Sequence, residues 1–355
     1  MSKILEQYDR LLSDEGPTAL VIREPLEAVE GDGGVVFPAT FASGDNFPGG
    51  YNINESPDGK NVCLIDSVGS QANRIEPMFA EEKYAKLIPQ IVVEAGDKKI
   101  NIVEAGHRAG DALVRCSSLQ EDLQKAFKAI LDGDAQPMAE IAPTSLVFGV
   151  WDSRDTQAKL PRLIASTIRA YNVRRLTRSA QFNPATEYVK DGLLEEPAEK
   201  AVSDKYAERG FIHVPASGSH GGVIADGGIR RDATLNLAAL RQLHAKDEKK
   251  TLALQRYILG LALTAFTRNP SGSLRQGCLL VAASGAKKDF KEVYPDGKRE
   301  DCGITHSKAL DFAEAAAKDF GVGPSKTVPF DKDRANFDVS GEGSAKGKKK
   351  KEKKS

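Results

Sequence analysis

Six short runs rich in β-branched and apolar residues lie at uneven intervals along the chain. They are TALVIREPLEAV (18–29), GVVFPATFA (34–42), NVCLI (61–65), IPQIVVEA (88–95), TSLVFGVW (144–151) and CLLVAAS (278–284). Each predicts a strand. Between them, apolar residues recur with helical spacing over 118–131, 156–171, 233–245, 250–266 and 308–319. No regular strand-helix-strand repeat connects the two kinds of segment, so the pattern predicts an α+β fold. A chain of 355 residues is long enough for a sizeable core. One elaborated domain over 1–340 is expected, with insertions near 35–66 and 209–232.

Two segments rich in Gly, Asn, Asp and Pro, ASGDNFPGGYNINESPDGK (42–60) and PASGSHGGVIADGG (215–228), read as long loops or hairpin tips. Long loops in a compact domain are often functional.

Charge is distributed unevenly. The formal net charge is zero, yet the last fourteen residues hold seven Lys and two Glu, which leaves residues 1–341 at net −5. This lysine-rich end, 341–355, has the composition of a disordered tail. Within the mildly acidic remainder, seven Lys or Arg face one acid between Arg154 and Arg178. Read as a helix over 156–171, Leu160, Leu163, Ile164, Ile168 and Tyr171 form an apolar stripe. Lys159, Arg162, Ser166 and Arg169 then share a second face, and Pro161 fits if the helix begins just before it, since proline is tolerated in a first turn. Arg174, Arg175 and Arg178 continue the charge beyond it. Such a patch serves either a polyanion or carboxylates elsewhere in the body.

In CLIDSVGSQANRIEP (63–77) an apolar strand runs into Ser67, Gly69, Ser70, Gln71, Asn73 and Arg74. A helix starting there would offer free amides to an anion; ordinary turn chemistry explains the same residues.

Signatures of common enzymes are missing: the chain has no GxxxxGK[ST], no strand-linked GxGxxG, no GxSxG and no HExxH. Glu104, His107 and Asp111 could share a helix side and hold a metal, or simply pair with nearby Arg108 and Arg115. Cys302 and His306 lack a second ligand pair for zinc, and no cofactor is implied. Nothing at the start of the sequence resembles a signal peptide, and LALQRYILGLALTAF is interrupted by Gln255 and Arg256, so no spanning helix is expected. A cytoplasmic protein is the expectation.

Four stretches together resemble one family: CLIDSVGSQANRIEP, AGHRAGDALVR, APTSLVFGVWDSRDTQAKLPRL and NVRRLTRSAQF. They are similar to the RAMP backbone subunit of the CRISPR-associated type I-G (formerly I-U) Cascade complex, over roughly residues 15–285. The resemblance implies an RRM-like, ferredoxin-like palm with large insertions forming fingers and a thumb hairpin. It implies a non-catalytic subunit whose copies stack helically along CRISPR guide RNA beside other Cascade subunits, presenting the guide for pairing with target DNA in antiviral defence. Sequence recognition then belongs to base pairing, and the protein holds the backbone. On this reading the RNA-binding residues are Ser70, Gln71, Asn73, Arg74, Lys159, Arg162, Arg169, Arg174, Arg175, Arg178, His220, Arg230 and Arg231. The alternative is a metal-dependent nuclease using Asp66, Asp111 or Asp152 with His107.

Overall fold

The computed structural model describes residues 2–340, so the lysine-rich end lies outside the described residues. The main sheet is built from β1 (Ala19–Ala28), β2 (Asn61–Asp66), β3 (Ile164–Tyr171), and, after an arm made of β4 (Val173–Phe182) and β5 (Val214–Ala225), from β6 (Ile229–Asn236), β7 (Cys278–Ala282) and β8 (Asp289–Val293). Its central strands run in the order β7-β1-β6-β3-β2, every neighbouring pair antiparallel. Helices α1 (Val68–Ile75) and α2 (Gln120–Leu131) belong to the crossover from β1 to β3, and α3 (Glu248–Thr267) to the crossover from β6 to β7. The connectivity β1-α-β3-β6-α-β7 and the order β7-β1-β6-β3 are compatible with the ferredoxin-like palm expected from the resemblance.

Alternation explains the sheet's two faces. In β6, Ile229, Arg231, Ala233 and Leu235 are buried, whereas Arg230, Asp232, Thr234 and Asn236 are not. The first face packs under α3, whose residues from Leu254 onward are buried on almost every side. A further helix, α4 (His306–Phe320), crosses α3 closely at Gly260: a Cβ there would lie 2.8 Å from the Ala313 backbone. Asp247 starts α3 by accepting the Lys250 amide at 2.9 Å.

Five segments differ from the sequence-based expectation. Glycine-rich 215–228, read as a long loop or hairpin tip, is mostly the strand β5, and only 226–228 form the turn into β6. Residues 156–171 are a short strand, Lys159–Leu160, followed by β3, and no helix forms. Ile164 and Ile168 are four apart, a spacing that helix and strand share, and the β-branched Ile164, Thr167 and Ile168 favour the pleated surface. Pro161 falls just before β3, where its missing amide leaves no ladder bond unmade. TSLVFGVW is a buried helical turn over Thr144–Phe148, ended by Gly149 at φ 81° before Val150–Trp151. GVVFPATFA contributes only Thr40–Phe41 and a single bridge from Val36 to Val223, because Pro38 cannot donate to a ladder. Residues 233–236 finish β6, and Asn236 then caps a short helix over Leu237–Arg241 through the Ala239 amide at 2.9 Å. The other expected strands and helices are present within a few residues of their predicted ends.

The insertion between β3 and β6 is larger than expected, beginning at Val173 where 209 was anticipated. β4 and β5 pair with each other and not with the main sheet. Eight of the ten β4 residues are exposed, so this ribbon stands away from the body.

Candidate nucleic-acid interface

The chain leaves the sheet for the arm at Asn172, which takes a left-handed φ of 48°. Asn tolerates that conformation better than most residues. Asn61 on β2 secures the turn: its side-chain oxygen accepts the Val173 amide at 2.7 Å and its amide group donates to the Val173 carbonyl at 3.1 Å. The basic residues from Arg169 to Arg178 therefore lie along one stretch of chain that bends at Asn172 from the sheet onto the arm. At about 3.3 Å per residue its contour length is roughly 30 Å.

On the uncovered sheet face, Arg169 on β3 sits opposite Arg230 on β6. Arg230 donates to Asp232 at 2.9 Å and lies over the Tyr171 ring at 4.9 Å. Arg23, on β1, approaches the same Asp232 at 3.8 Å. Arg169 reaches only the Thr167 hydroxyl, at 2.6 Å. Two guanidinium groups, those of Arg230 and Arg23, thus share one carboxylate, and Arg169 lies beside them without one. Arg23 was missed as a candidate, although its place in the period-two run TALVIREPLEAV puts it on the outward side.

Along the arm, Arg174 pairs with Asp226 at 2.7 Å; their mutual hydrogen bond raises the arginine's pKa and lowers the aspartate's. Arg175 donates to His220 Nδ1 at 3.4 Å, and Arg178 lies 5.8 Å from the Phe37 ring centre. His220 packs on Tyr51 with ring centres 4.7 Å apart, and the Tyr51 hydroxyl accepts the Gly222 amide at 2.9 Å. The two glycine-rich segments are thereby brought against each other. Gly222 has φ 95°, and a Cβ there would meet Val35 at 2.5 Å, so its glycine serves this packing.

Beyond β2, Ser67 caps α1 by accepting the Ser70 amide at 3.2 Å. The strand-to-helix turn forms as expected, but Gln71 and Arg74 turn toward Asp66. That carboxylate, 1% exposed, accepts from Gln71 at 2.7 Å, Arg74 at 3.2 Å and Arg275 at 2.8 Å. Ser166 donates to the Gln71 side-chain oxygen, Oε1, at 3.0 Å. Gln71 is buried, which corrects its assignment to an exposed interface. Asn73 stays exposed and accepts a weak bond from Arg108 at 3.4 Å.

Arg231 calls for the same correction. It is buried on the helix side, donating to Glu24 at 2.6 Å. Outward alternation gives that position to Arg230. Lys159 lies 5.4 Å over the exposed Trp151 ring, and Arg162 is exposed at the entrance to β3. The expected single face of Lys159, Arg162, Ser166 and Arg169 does not exist, because Ser166 points to the helix side.

The acids considered for metal chemistry are occupied locally. Asp152 accepts the Thr156 amide at 2.8 Å and hydroxyl at 2.7 Å, which holds its pKa down against the opposing effect of burial. Asp111 caps a short helix through Leu113, and Glu104 takes part in a capping box with Asn101. Two separate 3₁₀ turns, Ile102–Glu104 and Arg108–Gly110, occupy this segment, so Glu104, His107 and Asp111 do not share a helix. Among the described residues no group of three or more His, Cys, Asp or Glu could hold a metal ion. Burial pushes the Cys63 thiol up to about 12 and the Cys302 thiol up to about 11, away from the thiolate form. No described helix is long and apolar enough to cross a membrane.

Residues 20–175 match the CRISPR-associated protein GSU0053 family. The matched span runs from β1 to the first residues of the arm, less than half of the chain, and makes that stretch similar to a CRISPR-associated family. No curated protein matches the chain.

Proposed function

We propose, from a chain similar to a CRISPR-associated family over residues 20–175, that this protein is a non-catalytic backbone subunit of a type I-G Cascade complex. It binds CRISPR guide RNA in the cytoplasm, assembles with copies of itself and other Cascade subunits along that RNA, and holds the guide for pairing with target DNA. The observation that carries the reading is the path from Arg169 through Arg175 to Arg178. Arg169 is bonded to a hydroxyl, Arg175 to an imidazole and Arg178 to a ring face. A phosphate can take each guanidinium without displacing a carboxylate, and phosphate contacts position a strand without reading its bases. The β4–β5 ribbon fits the role of the thumb, the segment that reaches over the neighbouring copy. Exposed Arg23, and Arg230 once released from Asp232, add cations on the open sheet face; exposed Lys159 and Arg162 lie before the opposite end of β3.

The test is purification of the full chain from cells that make a CRISPR guide, followed by the ratio of absorbance at 260 and 280 nm, sequencing of bound RNA and electron microscopy. Guide RNA in rod-shaped particles is expected. Protein free of RNA that also fails to form particles when guide is added, or metal-dependent turnover of RNA, refutes the reading.

A further inference from the structure

On the helix side of the sheet, behind the basic face, lies a cavity of about 230 Å³ between α1, β3, β6 and the C-terminal end of α3. One water needs about 10–15 Å³ on this measure, so the space exceeds what a bridging water fills. Its walls divide by chemistry. Met78, Ile164 and Phe266 supply an apolar side, while Arg74, Arg231 and Arg268 bring three guanidinium groups. Arg74 is turned toward Asp66, and Arg268 donates to Glu81 at 2.8 Å from the partly exposed rim.

Arg231 is the unusual member. Its side chain is 3% exposed and its Nε donates to Glu24, but its buried Nη2 has no hydrogen-bond partner among the described residues. A buried charged donor left without an acceptor is costly. Nearby, burial lowers the Lys288 pKa, with Glu24 acting against that effect and Arg231 adding to it.

We propose that this cavity binds a small oxyanion with an apolar body, a phosphate monoester or a carboxylate on a ring-sized group. The oxyanion lies against the Arg231 and Arg268 side chains that line the cavity, and the body lies against Met78 and Phe266. This site faces away from the arginine path of the arm, so it is occupied independently of RNA.

Isothermal calorimetry on the RNA-free full chain tests it with four probes: inorganic phosphate, phenyl phosphate, acetate and benzoate. Phenyl phosphate and benzoate should each bind more tightly than phosphate and acetate, and the stronger of the two identifies the anion. Arg231→Gln should abolish binding; because it also unpairs Glu24 and risks unfolding, Arg268→Gln at the rim is the second variant. Removing one charge-assisted hydrogen bond should weaken the aromatic probe about tenfold. The Arg169→Ala/Arg175→Ala/Arg178→Ala variant should bind the probe normally. No heat from any probe, or equal affinity in wild type and Arg268→Gln, overturns the proposal.

Discussion

Replacing Arg169, Arg175 and Arg178 together by Ala should reduce RNA affinity in a way that depends on salt and not on sequence. Each of these side chains is free of a carboxylate in the structure, so truncating any one of them forfeits the full counterion release of the phosphate it would meet. With a slope of about 0.7 per neutralised phosphate on single-stranded RNA, three truncations flatten the plot of log K against log salt by about 2. The wild-type advantage should then shrink about 20-fold between 50 and 200 mM salt. Arg174 and Arg230 behave differently, because Asp226 and Asp232 already hold them. Single alanine substitutions there should cost less than at Arg175. Filter binding or fluorescence anisotropy with two unrelated 30-nucleotide RNAs over that salt range gives the slopes, and thermal unfolding checks the fold. The three side chains make only surface interactions, so the midpoint should move little. A triple variant that keeps the wild-type slope, or one that loses affinity for one RNA only, refutes the assignment of these residues to phosphates.

Three further outcomes follow from the interior. Asp66→Ala leaves Arg74, Arg275 and Gln71 without their shared acceptor and should destabilise by about 3–5 kcal/mol, read from urea unfolding; retained stability would mean the network is dispensable. Glu76 is buried beside Arg108, and desolvation outweighs that partner to push its pKa from 4.5 up to about 7. A raised carboxyl pKa stabilises the fold fully below the unfolded value and loses that contribution as pH rises through the folded one. Stability should therefore decline between about pH 4.5 and 7, by up to about 3 kcal/mol, and Glu76→Gln should be less stable but flat over that window in the same urea titrations. Gly222→Val should detach the 35–51 segment from the arm, since its Cβ meets Val35 at 2.5 Å. Limited proteolysis should then cut 35–51 faster, and an unchanged digest would count against this packing.

The α+β class, the strands at β1, β2 and β7, and the helices at α2, α3 and α4 were legible in the sequence, because hydrophobic period and end caps are local properties. The basic character of residues 154–178 was legible for the same reason. What period alone did not decide was how 156–171 presents its charge. Ile164 and Ile168 satisfy a helix and a strand equally, and only pairing with β6 and β2 selects the strand. That choice puts Arg169 on the open face and Ser166 behind it. Charge type likewise did not separate Arg230 from Arg231: adjacent strand residues point to opposite faces, so one lies on the basic surface and the other is sealed beside Glu24. Nor did the sequence reveal that Gln71 and Arg74 meet Arg275 at one carboxylate, because Asp66 and Arg275 are 209 residues apart and come together only when β7 and its neighbours complete the sheet. Local chemistry fixed which residues were cationic; long-range pairing decided which of those cations remain available to a ligand.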